Sequence, residues 1–170
     1  EPDEEEEWKI HDNWNQYLSV KGDSERGKTL FNDPEGVANC AKCHLIKGEG
    51  SAVGPELSFV GTSRTREFIL QSILDPSAII SSGYKTIMIL TKDGKFITGI
   101  KKNEDQSGFY LVNKEGKRLH VPIEKIKKFK TQKISTMPSN FVDLLDVQGV
   151  ADILAYLGSL TLPIFAVSKN

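Results

Sequence analysis

Apolar positions along this chain keep helical spacing at both ends and alternate in the middle. Residues 23–32 read as a helix: Asp23 or Ser24 can cap it, and Leu30 and Phe31 lie near its end. Asn32-Asp33-Pro34 then stops it. Gly27 inside it costs about 1 kcal/mol relative to Ala and would permit close approach of another helix. Residues 65–74 read as a second helix, with Thr65 as cap and Phe68, Ile69, Ile73 and Leu74 as its buried stripe. Asp75-Pro76 predicts a further short turn of helix. After Pro138, Val150, Ile153, Leu154 and Leu157 follow i, i+3, i+4, i+7, with Asp146 as cap and an end near Leu160. Trp8 to Leu18, with Trp8, Ile10, Trp14, Tyr17 and Leu18, reads either as a short helix packing on the main domain or as the end of a preceding domain.

The period changes at Gly83-Tyr84. Residues 84–91 are β-rich, and Lys92-Asp93-Gly94-Lys95 signals a hairpin. Strands follow at Phe96–Ile100, Phe109–Val112, Leu119–Val121 and Ile126–Thr131, with turns at Asn103–Gly108 and Lys114–Gly116. Short strands at regular spacing predict an antiparallel meander or small barrel. Phe96, Phe109, Tyr110 and Met88 are expected in its core.

Charge divides the chain the same way. The 170 residues carry a net charge of −1. Residues 85–133 hold 13 Lys/Arg against 5 Asp/Glu, and six acids lie in the first seven residues. Such segregation implies parts with different surfaces. The first seven residues are expected to be disordered, since like charges repel and nothing apolar anchors them. No apolar run approaches the roughly 18 residues needed to cross a bilayer. No signal peptide is visible in the opening residues, and the sequence is expected to be a mature or excised form.

The chemistry concentrates at Cys40-Ala41-Lys42-Cys43-His44. This is the C-x-x-C-H pattern of covalent c-type haem attachment. Cys40 and Cys43 can add to the two vinyl groups of one haem, and His44 is then delivered to the iron. They are the only two cysteines in the chain. A zinc site would need two further ligands, and His11 and His120 lack metal-ligand spacing. A dithiol redox site would need a βαβ setting that is absent. His120, in an alternating strand, reads as a surface residue.

Beyond the pentamer the chain resembles class I c-type cytochromes. Gly27-Lys28-Thr29-Leu30-Phe31 looks like their N-terminal helix, and Ala155-Tyr156-Leu157 like the end of their C-terminal helix, with Tyr156 facing Gly27 and Phe31. Gly54-Pro55-Glu56-Leu57 resembles their Gly-Pro-x-Leu loop. The resemblance implies that the Pro55 carbonyl accepts a hydrogen bond from His44 and raises its basicity. Ser135-Thr136-Met137-Pro138 resembles the Met-Pro loop, which implies Met137 as the distal iron ligand opposite His44. A narrower resemblance is to the haem-binding domain of planctomycete and verrucomicrobial proteins. It rests on Asp75-Pro76-Ser77, Gly83-Tyr84, Lys92-Asp93-Gly94, Gly99 and Ser135-x-Met137-Pro138. It implies a β-rich insertion ahead of the Met ligand. Gly149 departs from the expected Glu of a capping box at the last helix.

The expected fold is a mainly α cytochrome c core with a small inserted antiparallel β module, α+β overall. The expected organisation is an acidic segment 1–21, a haem domain 22–83 plus 134–162, a β module 84–133 and a tail 163–170. The expected function is a monohaem, one-electron carrier between redox proteins, not an enzyme. It would carry one covalent haem c in the periplasm or an equivalent compartment outside the cytoplasmic membrane. The alternatives are a haem-based gas sensor with a labile Met137, or an electron-transfer domain cut from a larger dehydrogenase. The basic insertion reads either as a solvated surface or as a docking patch for acidic redox partners. Nucleic acid is not an expected partner.

Overall fold

The computed structural model describes residues 12–163. The expected disorder of residues 1–7, and Trp8 and His11, lie outside the described residues, as does the tail beyond Pro163. A 3-10 turn Asp12–Trp14 runs into α1 (Asn15–Ser19). Trp14 and Tyr17 are buried, which anchors this end on the helical core. α2 (Ser24–Asn32) follows, capped by Asp23, whose carboxylate accepts from the Arg26 N–H at 2.9 Å. The residues of the pentamer begin a 3-10 turn, Cys40–Lys42, followed by the two-residue strands β1 (Leu45–Ile46) and β2 (Glu49–Gly50). α3 (Val60–Ser63) and α4 (Arg66–Leu74) complete the first helical part.

A sheet of five strands comes next: β3 (Thr86–Thr91), β4 (Phe96–Asp105), β5 (Gly108–Val112), β6 (Arg118–Pro122) and β7 (Ile126–Thr131). α5 (Phe141–Leu144) and α6 (Val147–Ser159) return the chain to the helices. Asp146 caps α6 by accepting from the Gly149 N–H at 2.7 Å. A Cβ at residue 149 would stand 3.2 Å from Asp146 Oδ1, so glycine leaves this cap room.

The helical core is built on the crossing of α2 and α6. A Cβ on Gly27 would run into the Asp152 carbonyl and stand 2.9 Å from Tyr156 Cβ. Phe31 is 1% exposed, and its ring meets that of Tyr156 edge-on at 5.6 Å between centroids. Burial of one such ring is worth about 1.5–3 kcal/mol. Asp152, buried in α6, is held by the Arg26 guanidinium (2.7 Å to Nε), the Asp23 N–H (2.7 Å) and the Gln148 amide (2.8 Å).

The sheet is antiparallel with strand order β6-β5-β4-β3-β7, so the last strand returns to pair with the first. Ile87, Ile89, Phe109, Leu111 and Val121 form a cluster separate from the helical one. Several expectations need correction. Asp75-Pro76 opens a hydrogen-bonded turn, not a helix. β4 runs on to Asp105, through residues expected to form a turn. Phe96 and Tyr110 are exposed, and Met88 is half-buried, because the pleat turns Ile87 and Ile89 inward. Phe68 is half-buried, beside the fully packed Ile69 and Leu70.

Candidate functional site

Local hydrogen bonds fix the pentamer. The Cys43 and His44 N–H groups both donate to the Cys40 carbonyl, at 3.0 and 2.9 Å. Asn39, at φ 37°, turns the chain into this 3-10 segment. The Gly54 N–H then donates to the Cys43 carbonyl at 2.7 Å, which brings the Gly54-Pro55 loop against the pentamer.

His44 Nδ1 lies 2.8 Å from the Pro55 carbonyl oxygen. A carbonyl only accepts, so Nδ1 carries the proton and Nε2 is left with its lone pair. No hydrogen bond reaches Nε2 among the described residues. Burial pushes the imidazole below its ordinary pKa range, against the opposing pull of the Pro55 carbonyl. A neutral imidazole with one nitrogen tied down is the form that ligates a metal.

One cavity of about 750 Å³ gathers Cys40, Cys43, His44, Pro55 and Met137 on its walls. Its size falls in the usual range of ligand and cofactor sites, about 300–1,000 Å³. Ile69, Ile73, Leu57 and Phe141 give it an apolar lining, and Phe68, displaced from the packed stripe, lines it as well. Met137 comes from the loop after the sheet. Its N–H donates to Ser135 Oγ at 3.1 Å, and the Ser135 N–H donates to Ser77 Oγ at 3.1 Å. That serine pair ties residues on the two sides of the sheet in sequence together, a contact that neither hydroxyl announces in the sequence.

Burial pushes the Cys40 thiol up to about 12 and raises that of Cys43, where Lys42 partly opposes it. Such a site disfavours a thiolate and suits a neutral sulfur, as in a thioether. No group of three or more His, Cys, Asp or Glu arranged to hold a metal ion occurs among the described residues. Paired sulfurs, one histidine with a free Nε2, and an apolar cavity fit a covalently held haem. His120 stands away from the cavity, exposed and stacked on Tyr110 at 4.6 Å between ring centroids.

The family model described as cytochrome c matches residues 24–106. Just under half of the chain thus resembles a cytochrome c domain. The match implies haem c, a covalently attached iron porphyrin, as the cofactor. A cytochrome c-553-like protein of Synechocystis sp. (strain ATCC 27184 / PCC 6803 / Kazusa) is 37% identical over 59 residues. That stretch is 35% of this chain and 50% of the relative, so the match spans about half the relative's length. The family match takes in the pentamer and the Gly54-Pro55 loop and stops just past the end of β4, ahead of Met137. No helix among the described residues is long and apolar enough to cross a membrane.

Proposed function

We propose that this chain is a monohaem one-electron carrier in which His44 and Met137 would ligate the iron and Cys40 and Cys43 would form the thioether bonds. The observation that carries this reading is the His44–Pro55 hydrogen bond. It holds the imidazole with Nε2 free, on the wall of a cavity that Met137 shares. The haem, when bound, would supply the exchange of one electron at its iron; His/Met ligation raises the potential relative to a bis-His site. The protein's part is to fix His44 through Pro55, to hold the Met137 loop through Ser135 and Ser77, and to keep water from the cavity with apolar side chains. No substrate chemistry is assigned to the polypeptide.

The haem domain comprises 22–83 and 134–162, and residues 84–133 form an insertion. Support comes from the two separate apolar clusters, one drawn from the helices and one from the strands. The compartment is extracytoplasmic, where C-x-x-C-H haem attachment takes place. The partner is a redox protein with an acidic face, which the excess of lysine over residues 85–133 would steer. Two experiments test this reading. Denatured protein should retain its haem, and lose it in the Cys40→Ala/Cys43→Ala double variant; haem released from the wild type by denaturation would overturn the attachment. Electron-transfer rates with an acidic partner should fall steeply with ionic strength; a rate indifferent to salt would remove the docking claim.

A further inference from the structure

The sheet reaches the haem cavity. Tyr84, just ahead of β3, and Lys114, in the turn between β5 and β6, both line it. Gly116 in that same turn lies over Val53, where an added Cβ would stand 3.3 Å from Cγ2. Val53 is buried and directly precedes Gly54, the residue packed against the His44 ring.

β4 contributes a second contact. Its pairing with β5 shifts register between Lys101, opposite Leu111, and Asn103, opposite Tyr110. Lys102 is the extra residue of this bulge. Bulges re-aim side chains and cluster beside functional sites. Here the re-aimed Nζ lies 3.7 Å from the centroid of the Tyr84 ring. Burial holds the Lys102 amine below its ordinary pKa. The ion pairs of the sheet use Lys95, Lys101 and Lys114, and none among the described residues uses Lys102.

We propose that Lys102, acting through Tyr84, is a positioning residue for the haem: the β4 bulge places an ion-pair-free cation behind a cavity-wall tyrosine, and this raises the iron's reduction potential. The inference rests on the haem reading above. A cation behind the cavity wall favours the reduced form of an iron held in that cavity, because the reduced form carries one positive charge fewer. The cation also holds the Tyr84 ring by its face. The sheet is then part of the redox site, and its loss would be felt at the iron.

The test is a redox titration of the haem-loaded full chain and four variants. Lys102→Met keeps the apolar stem and removes the charge. Lys102→Arg keeps the charge. Lys127→Met removes an exposed charge from β7. Tyr84→Leu removes the ring. Lys102→Met should lower the midpoint by the equivalent of at least a threefold change in the reduced-to-oxidised ratio, about 28 mV at about 59 mV per tenfold. Lys102→Arg should stay near wild type, Lys127→Met should shift less than half as far as Lys102→Met, and Tyr84→Leu should shift in the same direction as Lys102→Met. Equal shifts for Lys102→Met and Lys127→Met, or an Arg variant as low as the Met variant, would overturn the proposal. These three lysine variants decide it even if Tyr84→Leu does not fold. A wild type without covalent haem, or without a one-electron titration, would instead overturn the haem reading beneath it.

Discussion

A Cβ added to Gly54 would stand 2.8 Å from His44 Cε1 and 3.0 Å from Nδ1. The imidazole cannot simply swing aside, because Nδ1 is held at 2.8 Å by the next residue's carbonyl. Glycine at 54 is therefore a condition for the His44–Pro55 hydrogen bond. Gly54→Ala is expected to displace the imidazole, weaken its ligation and lower haem incorporation during maturation. Haem content per chain, with the spectrum of whatever holoprotein forms, checks this. A fully loaded variant with an unchanged spectrum would show that the loop adjusts freely.

Gly27 has a comparable role in folding. Gly27→Ala would force a methyl group into the Asp152 backbone carbonyl, where no side-chain rotation relieves it. Overpacking of this kind costs typically about 1–3 kcal/mol, and a helix propensity gain of about 1 kcal/mol returns only part of it. A lower denaturation midpoint is expected. An unchanged midpoint would mean that α2 and α6 can separate slightly at no cost.

Asp152 gives the fold a dependence on acid. Burial opposes its charge, but hydrogen bonds from Arg26, the Asp23 N–H and Gln148 outweigh burial and hold its pKa below the ordinary 3.8. A depressed carboxylate contributes stability that is present above its unfolded value and lost as pH falls through its folded one. Arg26 is more than half exposed, so solvent screens its share. The Asp23 N–H and the Gln148 amide are expected to account for most of the loss on Asp152→Ala, about 2 kcal/mol. Urea midpoints of wild type and variant should differ at neutral pH and converge well below pH 3.8. A gap that persists in acid would assign the loss to packing.

Much of this site could be read from local sequence chemistry. The caps at Asp23, Thr65 and Asp146 and the Gly94 hairpin follow from short-range rules on residue type and spacing, whereas the Gly27–Tyr156 contact is legible only through the resemblance to class I c-type cytochromes. The pentamer carries its meaning in five adjacent residues, whereas Gly54-Pro55 is by itself a turn and takes its meaning from its place after His44 and from the family resemblance. Features set by long-range register were harder to read. The polar run Lys101 to Asp105 resembles a turn, yet it pairs with β5 as an arm of β4. The bulge at Lys102 has no signature of its own, and neither does its reach to Tyr84. Phe96 and Tyr110 look like core residues by type. The pleat places both on exposed positions, because Leu111 and Phe109 occupy the inner face.

Met137 bears the most on function, since it separates an electron carrier from an open, ligand-binding haem. Its loop is fixed by Ser135 and Ser77, and it shares the cavity of His44. The most direct measurement is the absorption spectrum of the oxidised protein, beside that of Met137→Ala. The expected result is a sulfur-to-iron charge-transfer band in the wild type that vanishes in the variant, with carbon monoxide binding rapidly only to the reduced variant. A wild-type spectrum that is high-spin and lacks the band, with rapid carbon monoxide uptake on reduction, would contradict His44/Met137 ligation and favour a gas-binding haem.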